Sequence, residues 1–141
     1  MSYERVLNSL QGRSARRPRS EEWTESDDDG WTIAHWWAQH HKLDDGFPYY
    51  TLADKDGWSV AHTAASLGNL SKDFNGWKLA DAKGDTVAHI AIRSGHDNGY
   101  SLKVFTPEIL AYVNQQGVSV AQEIELRDQK RFTSLKEILK R

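Results

Sequence analysis

The sequence predicts an all-α chain: a solenoid of helix–turn–helix repeats with N- and C-terminal capping helices. Three observations predict it. One phrase occurs four times, as Asp27-Asp28-Asp29-Gly30-Trp31-Thr32-Ile33-Ala34-His35, Asp54-Lys55-Asp56-Gly57-Trp58-Ser59-Val60-Ala61-His62, Asp81-Ala82-Lys83-Gly84-Asp85-Thr86-Val87-Ala88-His89 and Asn114-Gln115-Gln116-Gly117-Val118-Ser119-Val120-Ala121-Gln122. Its glycines lie 27, 27 and 33 residues apart, a period typical of repeat proteins. Each phrase then runs into a short apolar helical pattern that can bury its face only against a neighbour.

The elements follow in order. Val6, Leu7 and Leu10 share a helical face with Tyr3 one turn earlier, which predicts an amphipathic helix within 1–11. Residues 12–26 read as a charged linker: Arg13, Arg16, Arg17 and Arg19 are followed by Glu21, Glu22, Glu25 and Asp27–Asp29, and Pro18 breaks the run. The repeat domain spans 27–141, divided into 27–53, 54–80, 81–113 and a C-terminal capping repeat 114–141. Within a repeat, the Asp caps turn amides and the Gly permits positive φ. Thr32, Ser59, Thr86 and Ser119 stand where a helix N-cap belongs, and Gly68 and Gly95 where the helix should end. A returning second helix is clearest in the third repeat, with Thr106 as N-cap, Pro107 at its first position and Ile109, Leu110 and Val113 as its apolar face. The two shorter repeats have room for only a turn or two, near 48–52 and 77–79. Ser134-Leu135-Lys136-Glu137 reads as a capping box opening a terminal helix with Leu135, Ile138 and Leu139 inward, and Gln122, Glu123 and Glu125 as a polar end face.

Composition narrows the chemistry. The chain has 141 residues, 38% apolar, with mean hydropathy −0.71 and net charge −2, which suits a thin core with much surface. Zero cysteines exclude disulfides, thiolate zinc sites and cysteine nucleophiles. No apolar run has membrane-spanning length, and the opening residues carry no secretory apolar region. The expectation is a cytoplasmic protein, or one delivered to a host cytoplasm, with no membrane partner.

The repeated phrase resembles the ankyrin repeat, Asp-x-x-Gly-x-Thr-Pro-Leu-His-x-Ala-Ala with a following Gly. The second copy matches at Asp54, Gly57, Ser59, His62, Ala64, Ala65 and Gly68, and the third at Asp81, Gly84, Thr86, His89, Ala91 and Gly95. The Pro-Leu pair is replaced throughout by Ile-Ala or Val-Ala, and two repeats are six residues short of the usual 33, as in divergent arrays of bacteria, phages and intracellular pathogens. The resemblance covers about 27–128. It implies an L-shaped stack with projecting turns that binds proteins and does not catalyse.

No nucleophile–base pairing, phosphate loop or zinc-protease motif occurs in suitable context, so no catalytic residue, cofactor or metal site is expected. His35, His62 and His89 invite a metal reading. Equivalent residues of packed helices stand roughly 8–10 Å apart, too far for one shell of bonds near 2 Å, so these histidines read as structural. Trp31 and Trp58, directly after the turn glycine, have two readings, a structural ladder or partner-binding anchors. The turn acids Asp28, Asp29, Asp56 and Asp85 accompany them. A second candidate surface is the helix column Trp36, Gln39, Thr63, Ser66, Ile90 and Arg93. Trp37 reads as core.

The functional expectation is a non-enzymatic adaptor or inhibitor, of the effector type that blocks a host protein. Its partner is another protein, with a basic nucleic-acid-handling protein as one version because the acid run can mimic phosphates. The alternative is a nucleic-acid-associated protein using the arginine arm 13–19. Direct nucleic-acid binding is the weaker expectation, because six acids follow the four arginines at once.

Overall fold

A turn, a capping hydroxyl and a short helix recur along the chain, each unit laid beside the last. The computed structural model describes residues 3–11, 17–44, 46–70, 74–94 and 105–127. Among them the regular structure is helical: α1 (Tyr3–Gln11), α2 (Ile33–His40), α3 (Val60–Leu67), α4 (Val87–Arg93), α5 (Pro107–Leu110) and a helical stretch over 120–127, here α6. The extended pairings in the same residues are the isolated antiparallel bridges Ser26–Thr32, Ala53–Ser59, Ala80–Thr86 and Val113–Ser119, which close the four turns. Helix α3 packs between α2 and α4, and α1 lies against α2.

The turn is built by its first residue. Oδ1 of Asp54 accepts from the amides of Asp56 (2.9 Å) and Trp58 (3.0 Å), and Asp27, Asp81 and Asn114 make the same pair of bonds. Gly57 adopts φ +74°, and a Cβ there would come within 2.9 Å of the Ala82 amide nitrogen. Only glycine allows both the conformation and the close approach of the next turn. Successive turns are joined through backbone: the Lys55 amide donates to Asp29 O at 3.0 Å, Ala82 to Asp56 O at 2.9 Å and Gln115 to Lys83 O at 3.0 Å.

Each helix begins on a capping hydroxyl that accepts from the third helical amide: Thr32 from His35, Ser59 from His62 and Thr86 from His89, all at 3.2 Å. The next orphan donors go to the preceding segment. The Val60 amide donates to Leu52 O and that of Ala61 to Tyr50 O; Ile33 and Ala34 use Glu25 and Trp23, and Val87 and Ala88 use Leu79 and Trp77, in the same way. Gly68 ends α3 at φ +75° in the left-handed region. Helix α2 ends instead at His41 in an extended conformation, and Asn69 supplies what glycine does elsewhere: its Nδ2 donates to Ala38 O at 2.8 Å, and its carbonyl accepts the Leu43 amide at 2.8 Å.

Where a long second helix would sit, the short units place aromatic rings. Trp23, Phe47, Tyr50, Phe74, Trp77 and Phe105 form a continuous edge-to-face chain with centroid separations of 5.2, 5.3, 4.7, 5.0 and 4.9 Å. The chain of rings runs across the units and fills the core beside Ala61, Ala64, Ala88 and Ala91, whose small side chains let α3 and α4 approach.

Three expectations are corrected. Residues 17–26 are no linker: Trp23 is 5% exposed, Glu22 is buried with Oε1 accepting the Arg19 amide at 2.8 Å, and the segment serves α2 as 50–52 serve α3. The aromatic face of Trp23 overrides the charge around it. Val113 does not complete the apolar face of α5: the helix ends at Leu110, and Val113 lies beyond it in the bridge to Ser119 with its side chain 55% exposed. Glu123 is not a water-facing end residue but pairs with Arg93. Arg13, Arg16, Gly95 and the helix expected from Ser134 lie outside the described residues.

Candidate functional site

The three histidines are fully buried, and their ring atoms are occupied in one repeated way. Nδ1 of His62 accepts from the Ser59 amide at 3.2 Å and from the Ser59 hydroxyl at 2.6 Å, while Nε2 contacts Asp85 O at 2.9 Å, in the next unit. His35 repeats this with Thr32 and Trp58 O, and His89 with Thr86 and Val118 O. An amide can only donate, so Nδ1 is the acceptor and Nε2–H the donor, which fixes one neutral tautomer. Burial holds the pKa of His35 and His62 below the ordinary 6.5, against the opposing pull of the carbonyl bond to Trp58 or Asp85. Each imidazole thus joins its own cap to the next turn and has no lone pair to give a metal. Among the described residues, His, Asp and Glu side chains form no group of three suited to a metal ion.

Trp31 and Trp58 do not stack on each other; each ring lies over the histidine of its own unit, with centroids 4.6 and 5.1 Å apart. Both are half-buried. Trp58 is tied further in, its Nε1 donating to Thr63 Oγ1 at 2.8 Å, and it packs on the core. Trp31 carries no such bond to position 36, which is tryptophan.

Between the turns runs a groove in two sections. One, of about 510 Å³, is lined by Asp27, Asp29, Trp31, Asp54, Lys55 and Asp56. The next, of about 530 Å³, has Trp58 and Ile90 as apolar wall, Asp54, Asp56 and Asp81 on its rim, and Asp85 with Arg93 at its far end. Asp28, Asp29 and Asp56 are exposed.

Asp85 is not an exposed contact. It is 7% exposed, and its carboxylate takes both Arg93 amino groups (3.1 and 3.2 Å) and Asn114 Nδ2 (2.8 Å). Burial alone would raise its pKa, but the bonds from Arg93 and Asn114 prevail and lower it. Arg93 also reaches Glu123 at 2.8 Å, which binds the third unit to the fourth. Thr63 is 2% exposed and is likewise no contact residue, being held by Trp58; Ile90 is 6% exposed and shows only an edge to the groove. Ser66, partly buried, donates to Thr63 O at 2.8 Å, while Gln39 is exposed. Of the column, Trp36 clusters with Trp37, His40 and His41, and Trp37 stacks on His41 at 3.7 Å.

Arg17 of the expected arm is engaged within the fold. Its guanidinium pairs with Asp44 at 2.6 Å and lies 5.5 and 5.9 Å from the Trp23 and Trp37 rings. The aromatic chain, Asn69 and the Arg93 network were missed by sequence reading. The recurrence of Trp23, Tyr50 and Trp77 at 27-residue intervals, and of Phe47 and Phe74 at the same interval, was the available signal for the first.

No protein-family profile matches the chain, and no curated protein is detectably similar to it. None of the helices in the described residues is long and apolar enough to cross a membrane.

Proposed function

We propose that this chain is a non-enzymatic, ankyrin-like protein-binding module, an adaptor or an inhibitor of the effector type, that occupies one partner protein through its turns and the groove beside them. The observation that carries the reading is a contrast within the repeats: the buried imidazoles are consumed in holding units together, whereas the half-exposed Trp31 and Trp58 rings and the exposed turn carboxylates line an open groove. Tryptophan is among the residues enriched at binding hot spots. The hydroxyl–imidazole pairs, such as Ser59 with His62, are buried in the helix caps, and Ser66 of the groove donates to Thr63 O. The nucleic-acid reading is weakened by Arg17, already paired with Asp44, and by the acidic rim, which repels phosphate.

The test is affinity capture from a cell lysate with wild type and Trp31→Ala side by side. Trp31 lacks the hydrogen bond that ties Trp58 to the core, so Trp31→Ala should keep its melting temperature while losing a specific captured protein. A set of captured proteins that Trp31→Ala and Asp56→Ala both leave unchanged would remove the reading.

A further inference from the structure

One place in the repeat is filled by the chain itself in three registers and left bare in the fourth. It is marked by the same backbone turn each time: the Glu25 amide donates to Glu22 O at 3.1 Å, Leu52 to Tyr49 O at 3.4 Å, Leu79 to Gly76 O at 3.1 Å and Tyr112 to Ile109 O at 3.2 Å. Glu22 and Ile109 are buried and Tyr49 is half-buried, whereas Gly76 has no side chain to place there. The Tyr49 ring lies over Trp23 with centroids 5.7 Å apart at 26°, stands edge-on to Phe47, and donates its hydroxyl to Ser20 O at 3.4 Å. Counted 27 residues on, Trp23 becomes Tyr50, Phe47 becomes Phe74 and Tyr49 becomes Gly76. A pocket of about 400 Å³ lies at that place, walled by Tyr50, Phe74 and Leu79. Short residues edge its mouth, among them Gly46, Thr51 and Asn75, and a Cβ on Gly46 would meet nothing within 4 Å. A polypeptide backbone can therefore come close to it.

We propose that this pocket receives the ring of a tyrosine side chain from another polypeptide, at a binding site that shares no lining residue with the turn groove. The incoming ring takes the place that Tyr49 takes one unit earlier. It stacks on Tyr50, stands edge-on to Phe74 and keeps its hydroxyl at the rim beside the exposed Thr51 and Asn75. The volume falls within the roughly 300–1,000 Å³ of small-ligand sites. None of the lining side chains is charged, so a cationic or anionic side chain would lose its hydration without a partner, and a neutral ring would not. Backbone conformation does not demand the glycine: Gly76 is not among the positive-φ glycines. A Cβ at Gly76 would meet only the far edge of the Phe74 ring, at 3.0 and 3.1 Å, before Leu79 at 3.5 Å. The bare position is thus a matter of the missing side chain and not of the fold.

Proton–nitrogen NMR titration of the full chain tests this with four probes: N-acetyl-tyrosinamide, its phenylalanine and leucine counterparts, and p-cresol. The tyrosine amide should shift the backbone amides of Gly46, Thr51, Asn75 and Gly76 and leave those of Trp31 and Trp58 in place, with a dissociation constant of about 1 mM, the scale set by its size. The leucine amide should bind about fivefold more weakly, for want of ring stacking. The phenylalanine amide should bind about threefold more weakly, for want of the hydroxyl. Gly76→Tyr, which supplies the ring from within the chain, should abolish the shifts at an unchanged fold. If that variant does not fold, the map of shifted amides in the wild type decides. Shifts centred elsewhere, equal binding of the tyrosine amide and either counterpart, or undiminished binding by folded Gly76→Tyr would overturn the proposal. Binding of p-cresol without the tyrosine amide would also overturn it, in favour of a free phenol. None of these outcomes touches capture through Trp31, which tests the turn groove alone.

Discussion

Replacing His62 by alanine is the sharpest perturbation of the fold. Its ring is fully buried, bonds Ser59 twice through Nδ1 and reaches Asp85 O in the next unit through Nε2. Alanine leaves the Ser59 amide, in a residue 3% exposed, without its acceptor, at a cost of about 1–3 kcal/mol. The Asp85 carbonyl suffers less, because it also accepts the Asp81 amide at 3.0 Å. The void left by the ring adds roughly 2 kcal/mol by comparison with other large-to-small core changes. The sum is about 3–5 kcal/mol, a large part of the stability of a domain of this size. The fourth unit supplies a control: Gln122 Oε1 accepts the Ser119 amide at 2.8 Å, doing the work of Nδ1. His62→Gln should therefore cost less than half as much as His62→Ala. Urea unfolding followed by circular dichroism measures both. A loss under about 1 kcal/mol for alanine, or equal losses for the two variants, would refute the reasoning.

Stability should fall on mild acidification: with the folded pKa of His35 and His62 lowered by burial, the unfolded chain takes up protons first, so their contribution is whole above about pH 6.5 and is lost as pH falls through and below it. Denaturation between pH 7.5 and 5 should show this slope, and His62→Gln should flatten it by up to about 1.4 kcal/mol per pH unit; a slope of opposite sign contradicts the tautomer assignment. Gly57→Ala should cost at least about 1 kcal/mol more than Gly117→Ala, because both take positive φ but only the first meets the next turn's backbone, at 2.9 Å; equal melting temperatures would mean the turns do not touch. Phe74→Ala, which breaks the aromatic chain between Tyr50 and Trp77, should lower stability by about 3–5 kcal/mol. A Phe74→Ala chain that unfolds at the wild-type urea concentration would show that the chain of rings is not core.

What the sequence made legible was local. An Asp, a Gly and a hydroxyl at fixed offsets determine a turn and an N-cap through bonds spanning two to four residues, so Asp54, Gly57, Ser59 and their counterparts were readable by spacing alone. Helix α5 was readable for the same reason, through Thr106 and Pro107. The aromatic chain was not, since Phe47, Phe74 and Phe105 stand outside helices, where neither helical nor strand periodicity marks the buried positions. Residues 17–26 misled through their charge: Trp23 outweighs its polar neighbours only by docking against Phe47 and Tyr49, contacts more than twenty residues away. At the candidate site, the place directly after the turn glycine holds Trp31 and Trp58, both half-buried and on the groove wall. It gave no hint that Asp85, in the same position, turns inward, because that depends on Arg93 two helical turns later and on Asn114 in the next unit.

The central claim, that neutral imidazoles join each cap to the following turn while the groove is left open, is tested most directly by long-range proton–nitrogen NMR of the histidine rings at pH 7. The structure requires His35, His62 and His89 each to be a single neutral Nε2–H tautomer whose ring proton exchanges slowly with water and whose shifts ignore added zinc. Rings protonated on Nδ1, averaged between tautomers, or shifted by zinc would contradict it.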